Sequence, residues 1–366
     1  MMKKQNILII LAAIIMASVI SCKQTSGDKV LIITGQGNHD WQASSTAVKQ
    51  ILDETGLFST KILITPSKGE DLSGFKPAFS KYKLIVLDYE GDAWPEETDA
   101  ALRNYLNNGG GIVLYNAKSD SWITKPEPVT LTQRNSFEIR AIAADHPVTK
   151  GLPARWLHPA DVIVQGLKPS VDDVKVLATA YSDSTKGGSG KPEPVMVAMN
   201  SGQGRIFATM IGLPGGEENQ ALHCAGSIVT LQRGAEWAAT GAVTQEVPSD
   251  FPTAAAAVLR PDFKAITTED AFRMIADYDI QKSTRYYTYL KDQLSKAAGD
   301  EQKLLSLEQQ MVKVLKNDAA TAESKKLMLR ELSWMGSENC VQAIKDLVAV
   351  EGLKDEAEFA LERLGQ

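Results

Sequence analysis

The hydrophobic pattern of residues 28–116 alternates between short apolar runs and amphipathic stretches. The apolar runs are mostly continuous and are rich in β-branched or large apolar residues, which is typical of strands buried on both faces of a parallel sheet. The stretches between them repeat apolar residues at helical spacing. The predicted strands are 30–34, 60–64, 84–88 and 112–115, and the predicted helices are 44–55 and 95–107. This pattern predicts an α/β domain in which helices cover a mostly parallel sheet.

Further strands are predicted beyond an irregular, proline-containing stretch that starts near residue 118. The last two are joined by Ser201-Gly202-Gln203-Gly204, a sequence that favours a tight hairpin turn. The strands are predicted at 137–142, 174–181, 194–200 and 205–211, and a helix at 220–240 closes the domain. We therefore predict one α/β domain over residues 29–243.

The character of the chain changes after this domain. Three prolines punctuate 244–264, which we interpret as a linker. Residues 265–366 show only helical patterns, with breaks predicted at Gly336-Ser337 and Glu351-Gly352. Paired helices of this length resemble a degenerate HEAT-type module, and a small helical bundle is an equally good interpretation. The prediction is an all-α C-terminal domain.

The N-terminus has the pattern of a processing signal over residues 1–22. Lys3 and Lys4 precede an apolar run that is shorter than the roughly 20 residues needed to span a bilayer. The run ends in Val19-Ile20-Ser21-Cys22, which resembles a bacterial lipobox. We expect lipidation at Cys22, a polar tether over 23–28, and a cell-envelope protein on the periplasmic face or cell surface. An ordinary secretory signal is the alternative.

The net charge limits the possible partners, and the cysteine content limits the possible disulfide bonds. The formal net charge of −6 gives no reason to expect nucleic acid as a partner. Beyond Cys22 only Cys224 and Cys340 are present, far apart in sequence, and we expect both to be free and buried.

Candidate catalytic and binding residues follow the carboxyl end of the first predicted strand. The sequence there is Gly35-Gln36-Gly37-Asn38-His39-Asp40-Trp41. Ligands of open α/β sheets bind at this edge. His39 can act as a general base, Asp40 is a second catalytic candidate, and Trp41 can stack on a sugar ring. Capping of the following helix is the structural alternative for His39 and Asp40.

Other polar residues are candidates for the same pocket. Asp161 and Glu193 are predicted acid partners of His39, and the remaining candidates are assigned to substrate binding. These are Glu90, Tyr115, His158 and His223. The chain has no Gly-x-Ser-x-Gly sequence and no cysteine in the turn that directly follows the fourth predicted strand, so covalent catalysis is disfavoured. It also lacks His-x-x-x-His and Cys-x-x-Cys spacing, so we predict no metal and no cofactor, although a long-range ligand cluster stays open.

Several motifs occur in one order along residues 29–253. They are Gly37-Asn38-His39-Asp40-Trp41, Trp94-Pro95-Glu96, Gly109-Gly110-Gly111-Ile112-Val113, Asp145-His146-Pro147-Val148-Thr149-Lys150-Gly151-Leu152-Pro153, Glu193-Pro194, Gly204-Arg205-Ile206-Phe207 and Arg233-Gly234-Ala235-Glu236-Trp237-Ala238-Ala239-Thr240-Gly241. Together they resemble the trehalose-utilisation (ThuA-like) domain, a branch of the class I glutamine amidotransferase-like fold. The resemblance implies a flavodoxin-like sheet.

The resemblance also implies a role in uptake or breakdown of trehalose-like glycosides, alongside sugar oxidoreductases that make 3-keto intermediates. Two positions depart from the family pattern by losing a histidine, at Tyr115 and at Leu213. The third departure is at Val162, directly after Asp161, where the family pattern has a glutamate. Two hypotheses follow: non-covalent acid/base processing of a small carbohydrate, or a non-catalytic sugar-binding or scaffold protein whose helical tail holds a partner enzyme.

Overall fold

The structure is a computed structural model that describes residues 27–115, 117, 122–124, 130–265, 267–280, 282 and 284–366. The predicted signal segment 1–22, with the lipidation at Cys22, lies outside the described residues. So do residues 118–121, which follow the fourth strand.

Eleven strands occur among the described residues. They are β1 (Asp28–Thr34), β2 (Phe58–Ile64), β3 (Leu84–Leu87), β4 (Gly111–Tyr115), β5 (Ile123–Thr124), β6 (Asn135–Ala141), β7 (Arg155–Asp161), β8 (Lys168–Pro169), β9 (Val174–Ser182), β10 (Lys191–Ser201) and β11 (Gly204–Thr209). Nine of these form one sheet in the order β2-β1-β3-β4-β11-β10-β9-β6-β7, while β5 and β8 pair separately.

The sheet has a parallel half and an antiparallel half. Strands β2, β1, β3, β4 and β11 are parallel, and the pairs from β11 to β7 are antiparallel. The predicted turn at Gly202-Gln203 joins β10 to β11 as a hairpin. The α/β class and the all-α tail are confirmed. The sheet is mixed, because the two-residue turn makes β10 antiparallel to β11, and β9, β6 and β7 then pair antiparallel beyond β10.

The helices of the described residues fall into two groups. In the α/β domain they are α1 (Trp41–Asp53), α2 (Glu96–Asn107) and α3 (Ala225–Thr240). In the C-terminal part they are α4 (Thr268–Ile275), α5 (Arg285–Lys296), α6 (Glu301–Lys316), α7 (Ala322–Met335), α8 (Glu338–Lys345) and α9 (Lys354–Arg363). None of the helices in the described ranges combines the length and apolar character that a membrane crossing needs.

Three predicted helix starts move by a few residues, each for a local reason. Helix α1 begins earlier, because Asp40 caps it by accepting a hydrogen bond from the Ala43 amide. Pro95 is the cap of α2 and not its first helical residue. Helix α3 begins later than residue 220, because its N-cap residue Cys224 has an extended backbone and forms a β-bridge with Leu259.

The sequence pattern did not predict β7, which carries two candidate site residues. Its sequence contains Pro159, which cannot donate to a sheet ladder and argues against an interior strand. In the structure β7 is the last strand of the sheet, where the missing N–H is tolerated.

Helices cover both faces of the sheet. Val48 and Ile51 of α1 share one hydrophobic cluster with Ile228 of α3, while Leu102 and Leu106 of α2 belong to the cluster on the other face.

Residues 244–264 form an ordered segment that returns along α3, and we call it the strap. At its start, Glu236 accepts hydrogen bonds from the Thr244 amide and hydroxyl. At its end, the Arg260 amide donates to the His223 carbonyl. The predicted breaks at Gly336-Ser337 and Glu351-Gly352 separate α7, α8 and α9.

Candidate functional site

A histidine and an aspartate meet at the carboxyl edge of the parallel half of the sheet. The loop after β1 carries His39, and Asp88 directly follows β3. Because β1 and β3 are parallel neighbours, their carboxyl ends lie side by side. His39 Nε2 lies 2.8 Å from Asp88 Oδ1. The His39 side chain is 10% exposed, whereas that of Asp88 is completely buried.

Asp88 is held in place from both sides. Its Oδ2 accepts a hydrogen bond of 2.6 Å from the Ser44 hydroxyl, on the first turn of α1. A buried carboxylate with two such partners orients the imidazole and stabilises its protonated form. With the Nε2 proton directed to Asp88, the lone pair of the neutral ring lies on Nδ1, which makes Nδ1 the basic atom.

A cleft of about 180 Å³ lies next to His39, with Gly37 and Asn38 in its wall, whereas His39 and Asp88 are not themselves among the residues that line it. Its lining comes from three loops, namely Gly35, Gln36, Gly37, Asn38 and Trp41, then Ser67 and Lys68, then Glu90 and Gly91. The His39 ring lies against Gly37, where an added Cβ would come within 3.1 Å of Nδ1. Trp41 and Glu90, both predicted to bind substrate, line the same cleft.

Gln36 ties the three loops of the cleft together. Its side-chain amide donates to the Pro66 carbonyl at 2.8 Å, and its Oε1 accepts from the Asp92 amide at 2.8 Å. The Glu90 amide donates to the Gln36 carbonyl. Gly91 must be glycine because a Cβ there would lie 2.2 Å from Gln36 Oε1. Gln36 is not among the site residues predicted from the sequence, because its role depends on contacts with distant loops.

A second polar cluster is buried around Asp161, the last residue of β7. Its Oδ2 lies 3.0 Å from His158 Nε2 and accepts from the Gly212 amide at 2.8 Å. Its Oδ1 accepts from the Val162 amide at 2.8 Å and from Arg134 Nη1 at 3.3 Å. Asp161 and His158 are both fully buried. Asp161 is therefore engaged in holding the loop after β11.

Tyr115 lies between the two clusters. Its hydroxyl donates to the Gly212 carbonyl at 2.6 Å, and its side chain is buried. Burial raises the pKa of Tyr115 well above its usual value, and the charges of Asp88 and Asp161 raise it further. The phenol is therefore a neutral donor that positions the Gly212 loop. Its predicted contact with substrate would need a change of conformation.

The pKa of His158 is raised to about 9. Burial alone would lower it, but the hydrogen bond to Asp161 and the neighbouring Cys224 sulfur raise it by more. Because the folded pKa exceeds the ordinary 6.5, the resulting stabilisation is complete below about pH 6.5 and is lost as the pH rises through 9. We expect the free energy of unfolding to fall by up to about 3 kcal/mol over this interval.

Urea unfolding of the wild type and of His158→Gln at pH 6 and pH 9.5 checks this expectation. The wild type should lose stability at the higher pH, and the variant should lose clearly less. An equal loss in both proteins would assign the pH dependence to other groups.

The other sequence-predicted residues lie outside the His39–Asp88 pair. Asp40 is exposed and caps α1, as described above. Glu193 is buried and accepts from the Ser189 hydroxyl at 2.7 Å and from the Gly166 amide at 3.1 Å. His223 stacks on Phe263 at a centroid distance of 4.6 Å. No described hydrogen bond joins Asp161 or Glu193 to His39, so their assignment as its acid partners stays a prediction.

The partner that His39 does have was missed because Asp88 was predicted to be the last residue of a buried strand. Its position directly after four apolar residues of β3 was the available signal. Both remaining cysteines, Cys224 and Cys340, are free and buried. In the described ranges, no group of three or more His, Cys, Asp or Glu residues is arranged to hold a metal ion.

Comparison with known proteins gives the following matches. The family model described as "ThuA: Trehalose utilisation" matches residues 29–238. A solved structure of a putative ThuA-like protein from Parabacteroides merdae ATCC 43184 is 38% identical, covers 66% of this chain and 100% of its own, and superposes with a TM-score of 0.60. A putative ThuA-like protein from Bacteroides uniformis ATCC 8492 is 17% identical over 58% of this chain and 92% of its own, with a TM-score of 0.42. No curated protein matches the chain.

Proposed function

Because the chain belongs to the ThuA (trehalose utilisation) family, we propose that its α/β domain binds and processes a small carbohydrate in the cleft beside His39. The substrate class is a trehalose-like disaccharide, a glycoside or a 3-keto-sugar. The observation that carries the proposal is the 2.8 Å contact between His39 and the buried Asp88, next to a cleft lined by Trp41.

The reaction is non-covalent acid/base chemistry. His39 Nδ1 takes a proton from the substrate, and Asp88 stabilises the imidazolium that forms. Glu90 supplies a carboxyl group in the cleft lining, and Trp41 offers a ring on which a sugar can stack. Lys68, also in the lining, can donate hydrogen bonds to hydroxyl or keto oxygens.

We further propose that the protein acts outside the cytoplasm as a lipid-anchored protein. The support is in the sequence, where the lysines and apolar run of residues 1–22 end at Val19-Ile20-Ser21-Cys22. A partner sugar oxidoreductase would supply the 3-keto substrate, and the helical tail is the segment proposed to hold it.

The second candidate is a sugar-binding or scaffold protein without turnover. It is favoured by the positions of Asp161 and Glu193, whose carboxylates accept hydrogen bonds from the amides of Val162, Gly212 and Gly166 and from the Ser189 hydroxyl. With both carboxylates held in this way, neither serves as the acid partner of His39, and a site without that acid would bind sugar without converting it.

Calorimetric titration of the mature protein with mono- and disaccharides and their 3-keto forms, followed by product analysis, separates the two candidates. Processing predicts binding and turnover in the wild type, with turnover lost in His39→Ala and affinity within a few-fold. Binding without wild-type turnover supports the second candidate. Absence of any binding to this panel overturns both processing and sugar binding, and leaves only the scaffold role. A covalently modified protein on mass spectra would contradict the non-covalent mechanism.

A further inference from the structure

A second cavity lies between the strap and helix α5 and shares no lining residue with the cleft beside His39. Its volume is about 340 Å³, at the lower end of the range for small-molecule sites. We call it the strap pocket. One wall belongs to the strap, residues 249–259, and the other to α5 and the residue before it.

The α5 wall is polar. Thr284, Thr288 and Asp292 line the pocket at intervals of four residues, which places them on one helix face. Thr284 precedes α5, and its hydroxyl makes no capping hydrogen bond. The Asp292 carboxylate pairs with Lys296 Nζ at 2.7 Å. This wall therefore offers two hydroxyls and one carboxylate, whose negative charge is balanced by Lys296.

The strap wall is mainly apolar and well supported. Phe251, Ala256 and Val258 contribute to it, and Phe251 packs edge-on against Trp156 with ring centroids 5.3 Å apart. Ser249 Oγ donates to the Tyr289 hydroxyl at 3.3 Å, and both residues line the pocket. Lys296 Nζ also donates to the Ser249 carbonyl at 2.9 Å, which joins the two walls.

An apolar wall opposite a row of hydroxyl and carboxylate groups matches a ring that has a C–H face and a hydroxyl edge. Lys296 offsets the charge of Asp292, and Arg260 offsets that of Asp250, the other acidic residue of the lining, so the pocket has no net charge that would select an ion. We propose that the strap pocket binds a neutral, polyhydroxylated ring of monosaccharide size. Its hydroxyls would bond Thr284, Thr288 and Asp292, and its C–H face would contact the strap.

This inference goes beyond the proposed function, since it assigns a second site that does not use His39. A ligand there would contact the strap and α5 together. It would therefore stabilise the contact between the α/β domain and the helical tail, and binding of sugar would raise the unfolding temperature of the tail.

The chain offers a matched pair of alanines for the test. Ala257 lines the pocket, so Ala257→Phe fills it, whereas Ala255 is exposed outside the lining and Ala255→Phe adds the same side chain elsewhere on the strap. Thr288→Val removes one hydroxyl at nearly constant volume. Saturation-transfer NMR and titration with glucose, galactose, mannose and N-acetylglucosamine give the affinities. Trp41→Ala removes the contribution that the cleft beside His39 makes to the measured sugar binding.

We expect at least one of these sugars to bind Trp41→Ala and Ala255→Phe with wild-type affinity at this site. Ala257→Phe and Thr288→Val should bind it at least tenfold more weakly, with thermal unfolding showing that both variants are folded. Wild-type affinity in both pocket variants, or loss of all binding in Trp41→Ala, overturns the proposal. If the proposed function is wrong, the result of this test is unaffected, because no step of the test needs turnover.

Discussion

Arg260→Met is expected to lower the free energy of unfolding by about 3–5 kcal/mol. Arg260 Nη2 lies 2.5 Å from Asp250 Oδ1, Arg260 Nε lies 2.8 Å from Oδ2, and both side chains are almost completely buried. Removal of the guanidinium leaves the Asp250 carboxylate without this charged partner in a low-dielectric setting, where an uncompensated charge is very costly. The pair closes the strap near the N-terminal end of α3.

Denaturant unfolding of Arg260→Met, Asp250→Leu and the double variant measures this effect as a double-mutant cycle. The double variant should recover much of the loss, because an apolar pair of similar volume leaves no buried charge. A loss of under about 1 kcal/mol in Arg260→Met, which is the usual worth of an exposed ion pair, would show that the strap opens to water in solution.

Asp88→Asn is expected to reduce turnover of any accepted carbohydrate by about 10²–10⁴-fold. The amide is nearly isosteric with the carboxylate, so the Ser44 hydroxyl and the His39 ring keep their places. It carries no charge, however, and it can donate to Nε2, which moves the ring proton to Nδ1. The imidazole then loses both its correct tautomer and the stabilisation of its cationic form.

The matched control is Ser44→Ala, which removes the 2.6 Å hydrogen bond to Asp88 Oδ2 but leaves the contact with His39. We expect it to reduce turnover by less than about tenfold, in keeping with one lost hydrogen bond. Steady-state rates with the sugar that binds best, together with its Kd, give both numbers. Equal rates in Asp88→Asn and the wild type would exclude the His39–Asp88 pair from the chemistry.

The local pattern of the sequence was enough for the parallel half of the fold. Strands β1, β3 and β4 are largely buried apolar runs, and α1 and α2 repeat apolar residues at helical spacing, so each of these elements is specified by its own residues. The same reasoning failed at β7, because a proline inside a strand is acceptable only at the edge of a sheet. The sequence does not state which strand will be the edge.

Part of the candidate site could likewise be predicted from the sequence, and part could not. The sequence was enough to place His39 and Trp41 at the carboxyl end of a strand. The buried apolar run stops at glycines, which marks the end of the strand and the start of a loop. Tertiary structure alone decided that Asp88 is the partner of His39, because strand order places β3 next to β1. It also decided that Asp161 and Tyr115 are buried on the loop of Gly212. Which carboxylate meets an imidazole depends on sheet order and loop path, and both are set by contacts between residues far apart in the chain.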